Sequence, residues 1–238
     1  TLPYLEKLGI NRLKAIFISH FDEDHSKALP LLMDNIKVEN LIISYEDNGN
    51  TIYEEIKSRK VPIIVLKEKD RVNLDTNVYM EVLSPNEDIK NRWKSGNNLS
   101  LVLLLNYYDK KLLFTGDIEK EVEWEIKDKF SDTIDIIKVP HHGSNTSSTE
   151  ELLDIIRPII GIISVGRNNL FNHPRDEVLE RYEKIGSLIY RTDIHGMVKV
   201  ILNKDIIYVE PFIKDKISLL DYLDENIFAF AFYVLYYL

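Results

Sequence analysis

The chain contains no cysteine. That absence excludes a disulfide framework and any thiolate zinc site, so a bound metal must rest on histidine and aspartate. Positive charge is also scarce: 30 Lys and Arg stand against 39 Asp and Glu, a formal net charge of −9. A broadly basic nucleic-acid surface, whose affinity comes from neutralising phosphates, is thereby disfavoured. A phosphate substrate is not, because divalent cations in a site reverse the local field whatever the global sum. There is no internal repeat, low-complexity tract or Pro/Gly/Ser linker, which favours one domain over residues 1–212 and a tail over 213–238. No initiating methionine and no charged-then-apolar signal segment opens the chain. The expectation is therefore a fragment lacking its N-terminal strands. The apolar run Ile227–Leu238, twelve residues long, falls short of the roughly 20 that span a bilayer as a helix. It reads as a buried terminal helix or strand, with an association surface or the first part of a membrane segment as the alternatives.

Within this frame the chain has 238 residues, 45% hydrophobic and 29% charged, ordinary values for a globular domain with a substantial core. Short apolar runs alternate with amphipathic segments. Strands are expected at 13–19, 40–44, 62–67, 78–84, 99–107, 111–115, 134–139, 159–165, 188–191, 197–202 and 206–210. Helices are expected at 26–35, 51–59, 118–129, 148–156 and 175–185. Ser148 with Glu151 has capping-box spacing, and Pro174 suits a first helical turn. Asp109-Lys110 reads as a tight hairpin turn. Together these give an α/β protein with mixed sheets. The stretch Pro85–Asn98 is the longest polar loop, and its Lys90, Arg92, Trp93 and Lys94 suit a cover over a substrate.

The chemistry gathers where strands end. Ser19-His20-Phe21-Asp22-Glu23-Asp24-His25 packs two histidines and three acids into seven residues, between an apolar run and an apolar-periodic segment. Alternate positions His20, Asp22 and Asp24 point one way from an extended turn and His25 closes the set, a spacing suited to one or two divalent ions. Thr115-Gly116-Asp117 follows the next such strand. Val139-Pro140-His141-His142-Gly143-Ser144 follows another; adjacent histidines on extended backbone face opposite sides, so one of the pair reaches a given metal. Gly143-Ser144 is expected to lead into a helix whose free N–H groups favour an anion. Asn172-His173-Pro174 lies at a further strand-to-helix junction. Five of the six histidines thus fall on three loops that follow strands.

These residues resemble the metallo-β-lactamase fold hydrolases, and among them the lactamase-like domain of ComEC competence proteins and its stand-alone relatives. The superfamily's HxHxDH motif stands here as His20-Phe21-Asp22-Glu23-Asp24-His25, with aspartate for the second histidine. NNLSLVLLL from Asn97, LLFTGDIEKEVEWEI from Leu112, IIKVPHHGSNTSS from Ile136, IISVGRNNLFNHP from Ile162 and YRTDIHG from Tyr190 follow in the family's order. The resemblance implies a four-layer αβ/βα sandwich holding two divalent metal ions, zinc or manganese, at one edge. His20 and Asp22 would hold one metal, Asp24, His25 and His173 the other, and Asp117 would bridge them. His141 or His142 would complete the first site, since the superfamily's third-motif histidine is replaced by Asn97-Asn98. Assigning His141 to the metal leaves His142, with Asp24, as the catalytic pair, and Ser144 and Asn98 as substrate-binding residues. Asp22 tilts the donor set toward hard oxygen and so toward manganese. His195 occupies the second acid of the family's TDxDG and is left outside the site.

The reaction implied is hydrolysis by a hydroxide bridging two cations, which needs no serine or cysteine nucleophile. A phosphodiesterase or nuclease acting on DNA during competence-type uptake is the leading expectation, with Lys138, Arg167 and the cations of the 85–98 loop holding the backbone. A stand-alone hydrolase of a small phosphoester or other ester is the alternative, and a non-catalytic module of an uptake channel is the third. A ComEC-like context would attach the domain to a membrane channel on the outer face of the cell membrane. A stand-alone relative would be cytoplasmic.

Overall fold

The computed structural model describes residues 2–93 and 96–214. Lys94 of the polar loop, the apolar run 227–238 and all but the first two residues of the 213–238 tail lie outside the described residues. The centre of the fold is a seven-stranded mixed sheet. From one edge its order is Leu188–Arg191, Ile160–Ile163, Ile136–Lys138, Lys110–Phe114, Val102–Tyr107, Val78–Ser84 and Arg71–Asp75. The first four strands run parallel and the remaining pairings are antiparallel. A three-stranded parallel sheet, Ile16–Phe17, Leu41–Ile43 and Ile63–Val65, is the second layer. Two short pairs complete the set: Arg12–Leu13 with Lys37–Val38, and the antiparallel Val198–Leu202 with Ile207–Pro211.

Burial follows the pattern of apolar residues. Val102 to Asn106 are buried in succession, as expected of a central strand covered on both faces. Ile42 and Leu66 from the small sheet and its edge pack with Val82, Leu101 and Leu103 of the large one, so the two sheets meet face to face. The amphipathic helices put Tyr53, Ile56, Val122, Ile126, Leu152, Ile156, Val178 and Tyr182 into the principal core. Helices and two mixed or parallel sheets layered in this way make the α/β sandwich.

Several local expectations are corrected. The hairpin exists, but Tyr107 pairs with Lys110, so its turn is Tyr108-Asp109, with Tyr108 in the left-handed region at φ 54°. The helix expected from Ser148 begins at Glu150 and is capped by Thr149, whose side chain accepts from the Leu152 N–H; Ser148 itself has φ 57° and cannot serve as the extended N-cap. Ser144 therefore sits well ahead of that helix and not at its N-terminus. Pro174 precedes the helix Asp176–Lys184, whose N-cap is Arg175. The polar 85–98 stretch contains a helix, Glu87–Arg92, capped by Asn86. Arg71–Asp75 is a strand that the pattern did not suggest, because it is a half-exposed edge with an alternating, polar sequence.

Candidate metal centre

Parallel strands align their carboxyl ends, and in α/β sheets that edge is where ligands bind. Here the loops after Lys110–Phe114, Ile136–Lys138 and Ile160–Ile163 bring Asp117, His141, His142 and His173 to one edge. The loop after Ile16–Phe17 brings His20 to His25 to the same place. Asp24, His25, Asp117 and His142 each offer a ligand atom within 4.8 Å of the others. His25 Nε2 lies 3.0 Å from Asp117 Oδ2 and 3.1 Å from His142 Nε2. His142 Nε2 in turn lies 3.1 Å from Asp117 Oδ2 and 3.2 Å from Asp24 Oδ2.

The surroundings orient these donors. Adjacent histidines diverge by a route other than the one expected from extended backbone. His141 and His142 both occupy the left-handed region, at φ 47° and 54°, in a turn where Gly143 leaves no room for a side chain: a Cβ there would meet Pro174 Cβ at 2.5 Å. His142 Nδ1 is 2.5 Å from the Ser164 carbonyl oxygen. A carbonyl only accepts, so Nδ1 carries a proton, a common second-partner arrangement for a metal-bound imidazole; Nε2 faces the cluster, donating to Asp117 while protonated and able to offer its lone pair to a metal once that proton leaves. Ser19 Oγ contacts both His20 Nδ1 and His25 Nδ1, at 3.1 and 3.2 Å, and Ser100 Oγ contacts His20 Nδ1 at 3.2 Å while accepting from the Asp117 N–H. Lys138 Nζ donates to Asp117 Oδ1 at 3.2 Å and to the Gly116 carbonyl, which leaves Oδ2 for the histidines.

Charge follows from this packing. Burial, with the neighbouring His25, lowers His20 to about 4. Burial pushes the Asp117 carboxyl up, but hydrogen bonds from His142 and His25 and the charge of Lys138 outweigh it and hold it well below the usual range. The bond to Asp117 raises His142. Burial raises Asp22, and the nearby Asp24 adds to it.

The other expected site residues are spread around the cluster. His20 is 1% exposed and its Nε2 has no hydrogen-bond partner among the described residues; Asp22 Oδ2 is 3.7 Å away. Such an orphaned buried nitrogen beside a carboxylate fits a metal ligand. His173 Nδ1 is likewise buried and without a hydrogen-bond partner among the described residues, and its ring lies 5.8 Å from that of His141. His141 is not among the four clustered donors. Its Nδ1 is 3.0 Å from Thr146 Oγ1 and 3.7 Å from Glu119 Oε1, and its Nε2 is 3.5 Å from Asn97 Nδ2. Asn98 and Ser144 are buried. The Asn98 amide is engaged at both ends, accepting from the Glu119 N–H and donating to its carboxylate, and Ser144 Oγ contacts Thr146 Oγ1 at 3.1 Å. Arg167 Nε donates to the Asp193 carbonyl.

Sequence reasoning passed over Ser19, Ser100, Ser164 and Glu119. Ser19 adjoins the first motif, so proximity was a usable signal. Ser164 acts through its backbone, which no side-chain pattern announces.

Residues 95–167 match the family model described as metallo-beta-lactamase superfamily. Over that segment the chain carries the signature of the metallo-β-lactamase superfamily. It is similar to ComE operon protein 3 of Bacillus subtilis, with 32% identity over 203 residues, covering 83% of this chain and 26% of that protein. It is also similar to competence protein ComA of Neisseria gonorrhoeae, at 26% identity over 83% of this chain and 26% of that protein. The chain thus spans about a quarter of the length of these relatives. Among solved structures, CmlA beta-hydroxylase E377D matches with a TM-score of 0.50 at 10% identity, over 76% of this chain and 43% of that one, a likeness of fold. Among the described residues, no helix is long and apolar enough to cross a membrane.

Proposed function

We propose that this metallo-β-lactamase domain is a metal-dependent phosphodiesterase that cleaves DNA in competence-type uptake. The observation that carries the reading is the convergence of Asp24, His25, Asp117 and His142 at the border of an open pocket. Those four residues would hold one divalent ion, and His20, Asp22 and His173 are the donors available to a second. When bound, the metal would supply an activated water and stabilise charge developing on a phosphoryl oxygen. Zinc suits the histidines, and the three aspartates suit manganese.

The chain's own groups do the rest. Ser164 holds His142 in the tautomer that presents Nε2. Lys138 neutralises the far oxygen of Asp117. With His142 among the clustered donors, His141 is the member of the pair left to protonate the leaving oxygen, with its ring fixed by Thr146.

Metal content and cleavage of labelled single- and double-stranded DNA, compared between the parent, Asp24→Ala and Asp117→Ala, test the proposal. Bound manganese or zinc with cleavage that vanishes in both variants is the expected result. Metal binding with intact DNA but hydrolysis of a small phosphodiester would shift the substrate to a small ester. A folded protein that takes no metal would end the reading.

A further inference from the structure

The pocket that Asp24 and His142 border continues past His173 to an aromatic wall, Phe171, with Gly166 and Asn169 beside it. Phe171 is 70% exposed and its neighbour Leu170 is 94% exposed. Their exposure is built into the loop. Asn169 ties its two ends, donating from Nδ2 to the Gly166 and His173 carbonyls at 3.1 and 2.7 Å while Oδ1 accepts from the His173 N–H at 2.9 Å. Asn168 and Asn172 take left-handed conformations, at φ 57° and 54°. The clamp leaves 170 and 171 at the tip. One face of the Phe171 ring stacks on the His173 imidazole, centroids 5.9 Å apart and planes within 16°.

We infer that Phe171 is a stacking platform for a nucleobase, and that it makes the pocket select single-stranded nucleic acid over duplex. The inference rests on the phosphodiesterase reading for the position of the scissile phosphate. A phosphate at the cluster places its attached nucleoside in the same pocket as the phenyl ring. Every base has a flat π face, so an aromatic side chain at such a position binds without reading sequence. The polar groups nearby support that indifference. The Asn169 amide is spent on the loop, and the Thr192 hydroxyl is spent on the Val165 backbone, 2.7 Å from its nitrogen and 2.8 Å from its carbonyl. A duplex keeps its bases inside the stack, out of reach of the ring. With a formal net charge of −9, broad phosphate neutralisation away from the cluster is disfavoured, and stacking adds a sequence-independent contribution that phosphate contacts do not supply.

The test uses the full chain in EDTA, so that no strand is cleaved. An oligothymidine of about twelve nucleotides is compared with an abasic deoxyribose-phosphate oligomer of equal length and with a duplex, by fluorescence anisotropy. Phe171→Ala is expected to weaken oligothymidine binding roughly five- to hundredfold, the range of one lost stack, and to leave the abasic oligomer unaffected. Phe171→Trp should restore binding, and its added fluorescence should be quenched by oligothymidine and not by the abasic oligomer. Equal binding of based and abasic strands by the parent, or no loss in Phe171→Ala, overturns the platform. So does a loss confined to anionic phospholipid vesicles, which would make the loop tip a membrane contact. Hydrolysis of bis(p-nitrophenyl) phosphate with manganese separates the two readings. If the parent hydrolyses it but shows no base-dependent binding, the hydrolase stands and the platform falls. If base-dependent binding appears without hydrolysis, the platform stands and the hydrolase falls.

Discussion

His25 and His142 come from opposite halves of the chain, yet their Nε2 atoms lie 3.1 Å apart, each within 3.1 Å of the same Asp117 oxygen. Donor atoms converge in this way where a cation is to be shared, and binding to the folded state alone stabilises it. Zinc or manganese at a hundred times its dissociation constant should raise stability by about 2.7 kcal/mol. Differential scanning calorimetry should show a higher Tm with metal, reversed by EDTA, and no rise in His142→Ala or Asp117→Ala. A parent whose Tm ignores both metals would contradict the ligand assignment.

Gly116 is the hinge on which Asp117 turns. It has φ +57°, and an added Cβ would lie 2.5 Å from Ser100 Cβ and 2.9 Å from Ser19 Cβ. Those two serines also orient His20, and Ser100 accepts from the Asp117 N–H. Gly116→Ala should therefore cost about 2–4 kcal/mol from backbone strain and overpacking together. Urea unfolding gives the loss of stability, and metal affinity should fall with it. A neutral substitution would mean that the turn relaxes freely.

Glu123 is 0% exposed and its carboxylate accepts from the Ser148 and Thr149 N–H groups, the latter at 2.8 Å. It closes the start of the helix Glu150–Ile156 from a helix remote in sequence. Burial raises its carboxyl, with the two N–H groups opposing. Glu123→Ala leaves the buried Ser148 N–H and the part-buried Thr149 N–H without their carboxylate, at about 1–3 kcal/mol each. The expected loss of roughly 2–5 kcal/mol should be visible in thermal unfolding, and an unchanged Tm would show that water replaces the carboxylate.

How far the sequence carried depends on where each signal resides. The strand-end positions of His20, Asp24, His25, Asp117 and His173 were legible because short apolar runs precede them, and parallel pairing then brings those ends together. Which of His141 and His142 enters the four-donor cluster was not legible. It depends on two consecutive left-handed residues and on a carbonyl at Ser164, neither of which has a side-chain signature. The helix cap moved from Ser148 to Thr149 for a related reason: Glu123 and Tyr182, distant in sequence, hold Ser148 in a conformation that a local pattern does not foresee. The edge strand Arg71–Asp75 was hidden because its exposed alternation leaves few apolar residues to see.

His20 supplies a pH dependence whose sign is set by its burial. Its folded-state value is about 4 against an ordinary 6.5, so the unfolded chain binds a proton first. The stabilisation is fully present above about pH 6.5 and is lost as pH falls through 4, by roughly 3 kcal/mol in all. The opposite sign holds for His142, which is raised by its bond to Asp117, so a single pH series on the parent mixes the two. Comparing metal-free parent with metal-free His20→Gln isolates the first. The stability difference between them should shift across pH 7 to 4 in the direction that penalises the parent at low pH. A difference that stays constant across that range would mean that His20 titrates normally, and that its ring is more open to water than its 1% exposure shows.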